Sequence, residues 1–143
     1  MGRIVSFALT LLLSGCIVIP FIQAFKETGA TPADRMALLE PQAKKFSDAV
    51  VMGNKMSALK FVMPETRSEV AKQIKSKSDE ERVVESKMDD VEWIDDATKA
   101  TVTVKIKYYK IPYYIVESRI EQQHWEFSMS EGWQLRDMSI VEG

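Results

Sequence analysis

The sequence predicts an α+β domain in which three short N-terminal helices pack on an antiparallel sheet formed by the rest of the chain. Apolar residues between positions 43 and 74 recur at spacings of three and four, the period of a helix with one buried face. Beyond about residue 82 the recurrence changes to two, the period of a strand. Helices gathered ahead of strands, rather than alternating with them, point to α+β architecture and away from a parallel sheet.

Residues 26–30 form a short polar link. Thr31-Pro32-Ala33-Asp34 then opens a helix, with Thr31 as cap, Pro32 at the first helical position and an acid in the first turn. Pro41 is expected to interrupt or restart the helix after Glu40, because it removes an internal hydrogen bond. Ala43, Phe46, Ala49 and Val50 make one apolar stripe, Gly53-Asn54 ends it, and Asn54 can cap the next helix. Met56, Leu59 and Val62 form a second stripe, Pro64 breaks it, and Val70 and Ile74 mark a third helix.

Met88, Val91 and Trp93 belong to the first strand and Asp95-Asp96-Ala97 to the turn after it. Ala100, Val102, Val104, Ile106 and Tyr108 alternate with Thr101, Thr103, Lys105, Lys107 and Tyr109, a half-buried strand with one polar face. Pro112 falls in the loop between Tyr109 and Tyr113. Trp125, Phe127 and Met129 alternate again, Ser130-Glu131-Gly132 turns the chain, and Trp133, Leu135, Met138 and Ile140 lie in the last strand.

Charge excludes one class of partner. With 19 Lys and Arg against 21 Asp and Glu, the chain has no broad basic surface to attract nucleic acid. Lys72, Lys75 and Lys77, followed by Asp79, Glu80 and Glu81, read as a solvated helix end. One cysteine and one histidine leave no intramolecular disulfide, no CxxC pair and too few nitrogen or sulfur ligands for zinc. Asp89, Asp90, Asp95 and Asp96 lack the spacing and glycine turn of a calcium loop. There is no GxSxG, phosphate-binding or dinucleotide-binding motif, so no catalytic residue, metal or cofactor is expected.

The N-terminus is the most specific segment. A short positive start at Met1-Gly2-Arg3 precedes an apolar run over 4–13 and then Leu13-Ser14-Gly15-Cys16. This resembles the lipobox of bacterial lipoproteins, in which two small residues admit the signal peptidase and the cysteine thiol takes the lipid. The resemblance implies a signal peptide over 1–15, a lipid on Cys16, an acylated tether over 16–30 and a domain over 31–143. Two or three acyl chains would anchor it stably, since each buried methylene contributes about 0.8 kcal/mol. Residues 4–25 hold no Asp, Glu, Lys or Arg, so the alternative is an uncleaved anchor of spanning length. Either way the domain is expected outside the cytoplasm. In a Gram-negative cell Ile17 after the cysteine implies the outer membrane, facing the periplasm.

The helix pair over 46–61, the turn and strand from Asp95 to Val104, and the closing Trp125…Gly132-Trp133-Gln134-Leu135 are similar to the nuclear transport factor 2-like fold. That resemblance implies a curved sheet wrapped around the helices, leaving a conical cavity. Enzymes of this superfamily place a carboxylate or a His/Asp pair in the cavity beside Tyr or Trp. Strand alternation puts His124 on the side opposite Trp125 and Phe127, so with the aromatics inward His124 faces solvent.

Trp93, Tyr108, Trp125, Phe127 and Trp133 are candidates either to line a ligand pocket or to fill the core. In Tyr108-Tyr109-Lys110-Ile111-Pro112-Tyr113-Tyr114 the aromatics cannot all point inward. Tyr109 and one of Tyr113 or Tyr114 are therefore candidates for partner binding. The expectation is a non-enzymatic binding or scaffold lipoprotein of the cell envelope, attached to the membrane through Cys16 and able to hold a protein partner. The alternatives are a domain that holds a small apolar ligand or lipid, and an isomerase or dehydratase. The sequence carries no signal for a particular oligomeric state.

Overall fold

The computed structural model describes Ala24 and residues 26–143. Cys16 and, apart from Ala24, the apolar run over 4–25 lie outside the described residues. Among the described residues no helix is long and apolar enough to cross a membrane.

Helix α1 runs over Pro32–Val51. Its start is a capping box: the Asp34 amide donates to Thr31 Oγ1 at 3.2 Å, and the Asp34 carboxylate accepts from the Thr31 amide at 3.3 Å. Pro41 does not divide this helix. Its ring lies on the exposed face, where water can take the place of the missing N–H, while Leu39, Ala43, Phe46 and Ala49 on the other face stay buried on both sides of it. Gly53, at φ 70°, ends the helix, and Asn54 Oδ1 accepts the Ser57 amide at 3.1 Å to start α2, Lys55–Leu59. Here Ala58, rather than the expected Met56, is buried; Met56 faces solvent. Helix α3, Arg67–Glu80, buries Val70 and Ile74.

Four strands follow as an antiparallel meander in the order β1-β2-β3-β4: Glu81–Ile94, Lys99–Lys110, Val116–Ser128 and Gly132–Glu142. Register shifts near Val83 and Met88 in β1, and near Ile120 and His124 in β3, mark irregularities of the kind that bend a sheet. The Asp95-Asp96-Ala97 turn holds all three residues at positive φ. Met129 falls beyond β3 in the next turn and is exposed, since the strand ends at Ser128. Residues 61–63 cover the first half of the β4 edge: the Met63 amide donates to Leu135 O at 2.9 Å, and the Leu135 amide to Phe61 O at 2.7 Å.

The core lies between the helices and one face of the sheet. Phe46 meets Trp125 edge to face at 5.9 Å, and Trp133 packs between Phe127 and Trp93 at 5.5 and 6.1 Å. The Trp133 indole N–H donates to Arg35 O at 2.8 Å, so its polar end is satisfied. The opposite face carries Glu85, Lys105, Lys107, Gln122, His124 and Glu126 and is turned to solvent. At the base of the domain Gly29 packs against Phe127, and its carbonyl accepts from Arg35 Nε at 2.9 Å. The link over 26–30 is thus docked where it joins α1.

Candidate functional site

Strand alternation places the site. Trp125 points into the core, so Gln123, Glu121 and Arg119, each two residues further back along β3, point to the same face. All three are buried: Glu121 is 4% exposed and Arg119 6%. In β2 they stand opposite Val102, Val104 and Ile106. The inner face therefore changes along its length from apolar to charged.

Buried charges need partners, and the neighbouring elements supply them. The Arg119 guanidinium donates through Nη1 to Glu81 Oε1 at 2.5 Å and through Nε to Glu121 Oε1 at 2.6 Å. Lys77, in the last turn of α3, donates to the same Glu121 oxygen at 2.7 Å. Beneath the guanidinium lies the Tyr108 ring, with its centroid 4.5 Å from Arg119 Cζ, and the Tyr108 hydroxyl donates to Glu117 at 3.0 Å. Burial works against the charge on Arg119, but the Glu121 and Glu81 carboxylates outweigh it and hold the guanidinium pKa above its ordinary value. Burial, and then the bond to Glu117, push the Tyr108 phenol pKa up. The helix end expected to be solvated thus contributes two members of a buried ion network: Lys77 is half-buried and Glu81 buried, because the chain turns inward there from α3 into β1.

This network forms one wall of a cavity of about 370 Å³. Most of the rest of the lining is apolar: Phe46, Val50 and Val51 from α1, Ile74 from α3, Ile106 from β2 and Met138 from β4. Ser47, Ser78, Lys55 and Arg82 are among the other residues of the lining. Arg82 is exposed and donates to the carbonyls of Ser78 and Glu81, where α3 gives way to β1. Among the described residues no cluster of three His, Cys, Asp or Glu side chains is arranged to hold a metal. Chemically, the arrangement offers apolar surface, fixed hydrogen-bonding groups and paired charges.

The residues singled out from sequence are distributed elsewhere. Trp125 and Trp133 are deep in the core, Tyr108 is buried, and Trp93 and Phe127 pack half-buried against the core. None of the five lines the cavity. His124 stands on the outer face, with Nδ1 2.5 Å from Asp137 Oδ1. In the β2–β3 loop Tyr113 and Tyr114 are 75% and 69% exposed, while Tyr109 is half-buried with its ring 5.3 Å from that of Tyr114. Sequence reasoning missed Lys77, Glu81, Arg119, Glu121 and Gln123. The signal for the last three was present: the alternation that turned Trp125 inward runs back through them.

No family model matches this sequence, and no curated protein sequence matches it. Solved structures do resemble it. A ketosteroid isomerase-like protein from Erwinia carotovora atroseptica superposes with a TM-score of 0.57 at 14% identity, over 75% of this chain and 96% of that one. A conserved protein from Planctomyces limnophilus gives 0.55 at 12% identity, over 78% and 98%. The intermembrane space region of the chloroplast protein ARC6 gives 0.53 at 12%, over 73% and 95%. At these identities the likeness is one of fold. The domain is an α+β structure of the nuclear transport factor 2-like type, with helices packed on a curved four-stranded antiparallel sheet.

Proposed function

We propose that this domain is a non-enzymatic binding module that takes a small amphipathic molecule into its cone cavity, held outside the cytoplasm by a lipid on Cys16. The observation that carries the binding reading is the cavity itself: about 370 Å³, lined by apolar side chains and by fixed, paired charges. That volume falls within the range of small-molecule sites, roughly 300–1,000 Å³, and the mixture of surfaces is the usual one. The lipid anchor rests on Leu13-Ser14-Gly15-Cys16.

An isomerase or dehydratase is less well supported. General acid–base work needs a carboxyl or imidazole poised to exchange a proton. Each buried carboxylate of the cavity wall is engaged by a cation, and His124 stands on the opposite face of the sheet. Protein binding is a second reading favoured by a separate observation: Ile111, Tyr113, Tyr114, Ile115 and Val116 form an exposed apolar run around the β2–β3 loop.

Native mass spectrometry of the full-length protein, gently extracted from membranes, tests both halves of the proposal. The expected result is a chain without residues 1–15, carrying acyl mass on its first cysteine and a small molecule that leaves on activation. A chain that keeps its N-terminus unmodified overturns the lipid anchor. A chain that carries no small molecule, and gains none from a panel of amphiphiles, overturns the binding module.

A further inference from the structure

Resting on the cavity reading above, we infer that the ligand is an anionic amphiphile whose charged head sits at the cavity mouth between Lys55 and Arg82. The lining holds four cationic side chains, Lys55, Lys77, Arg82 and Arg119, against two carboxylates, Glu81 and Glu121. Both carboxylates are spoken for: Glu81 by Arg119, and Glu121 by Arg119 and Lys77. Lys55 and Arg82 have no carboxylate partner among the described residues; the side-chain bonds of Arg82 go to main-chain carbonyls. The cavity therefore carries a surplus of positive charge, although the whole chain has a net charge of −2.

Burial sets the direction of the ligand. Glu81, Arg119 and Glu121 are buried, whereas Lys55 is half-buried and Arg82 exposed. An anion pushed against the buried end would meet two carboxylates whose cations are already engaged. At the mouth it meets two cations that no carboxylate of the lining engages, and the low-dielectric walls strengthen their field. The apolar body then lies against Phe46, Val50, Ile74, Ile106 and Met138. A neutral amphiphile makes the same apolar contacts but leaves the two cations to water. A cationic one is repelled.

Two dyes with one aromatic body test this. 1-Anilinonaphthalene-8-sulfonate carries a sulfonate that N-phenyl-1-naphthylamine lacks. Binding of each to the full-length protein in zwitterionic nanodiscs is measured by fluorescence, with empty nanodiscs subtracted. The sulfonate is expected to bind about tenfold more tightly, the effect of two partly exposed ion pairs. The preference should disappear in Lys55→Gln/Arg82→Gln and return in Lys55→Arg/Arg82→Lys, with circular dichroism to verify folding. Equal binding of the two dyes overturns the anionic head and leaves the cavity reading standing. Binding of neither above the empty nanodisc overturns both. Repeating the titration in nanodiscs containing phosphatidylglycerol separates two sources of the same chemistry. Loss of the dye signal assigns the site to an anionic bilayer lipid, and an unchanged signal to a free anionic amphiphile.

Discussion

The two ends of the inner sheet face bury side chains equally well with opposite chemistry. At one end Trp125, Trp133, Leu135 and Val102 close on one another and on α1, with Phe46 edge to face on Trp125. At the other, Arg119, Glu121 and Glu81 are just as inaccessible but are charged. The change takes place within β3, over the six residue steps from Trp125 back to Arg119, a distance of about 20 Å. The apolar end stabilises by removing surface from water. The charged end does so poorly, because the desolvation of buried ions offsets most of their attraction. A protein that needed only stability could carry apolar residues there. On the proposed binding role, cohesion lies at one end and recognition at the other.

The sharpest way to break this contrast is to truncate each end. Trp133→Ala should destabilise the protein by about 3–5 kcal/mol, as large aromatic truncations in cores do. Arg119→Met should cost about 3–5 kcal/mol too, because it leaves Glu81 and Glu121 buried without their shared cation. Urea unfolding as a function of pH tells the two apart. The Arg119→Met deficit should shrink in acid, where the carboxyl of Glu81, left without a cation, can be neutral, while the Trp133→Ala deficit should not. An Arg119→Met protein within about 1 kcal/mol of wild type would mean that water already reaches the network.

Replacing the buried ions of the network asks what they are for. Glu81→Leu/Arg119→Leu/Glu121→Leu should leave stability unchanged or raise it by about 1–4 kcal/mol, because no fully buried charge is left unpaired and Lys77, which loses Glu121, is only half-buried and can turn to water. It should also alter which amphiphiles bind. A strongly destabilised but folded triple variant would show that the ions are there for cohesion after all. The measurement is a denaturation curve alongside a dye titration.

The contrast also governs how much could be read in advance. Element types and order were legible because their periods, 3.6 and 2, are written in residues such as Phe46, Ala49, Val102 and Val104. The unbroken α1 was not, because tolerance of Pro41 depends on that position facing solvent. The core aromatics were legible as a set, while the cavity wall was not. Arg119 and Glu121 occupy inward positions by simple alternation from Trp125, yet charged residues there look solvated until partners are known. Those partners are remote: Glu81 lies 38 residues from Arg119, and Lys77 lies 44 from Glu121. Pairing at that range is a tertiary fact, with no local signal in sequence.

A smaller effect probes the boundary between the two ends. Tyr108→Phe removes the hydroxyl that donates to Glu117 and should cost about 0.5–1.5 kcal/mol. The folded phenol titrates above its ordinary value near 10, chiefly through burial and then through Glu117. The stabilisation linked to its proton is therefore complete below about pH 10 and lost as pH rises through the raised value. Ultraviolet titration of the wild type should contain a late phenol transition that Tyr108→Phe lacks. If the transition missing from Tyr108→Phe lies instead at the ordinary value, the phenol is not buried beside Glu117 as the structure has it.

The smallest effect belongs to the outer face. His124 is partnered by Asp137 at 2.5 Å, much as Arg119 is by Glu81, but His124 is exposed on its side of the sheet. Water there screens the pair and can replace either partner when one is removed. His124→Ala should shift the unfolding free energy by no more than about 0.5 kcal/mol and leave dye binding unchanged. A similar contact distance thus predicts a large effect inside the sheet and almost none outside it. A loss of binding in a well-folded His124→Ala protein would move the functional face to the other side of the sheet and undo the assignment of the cavity.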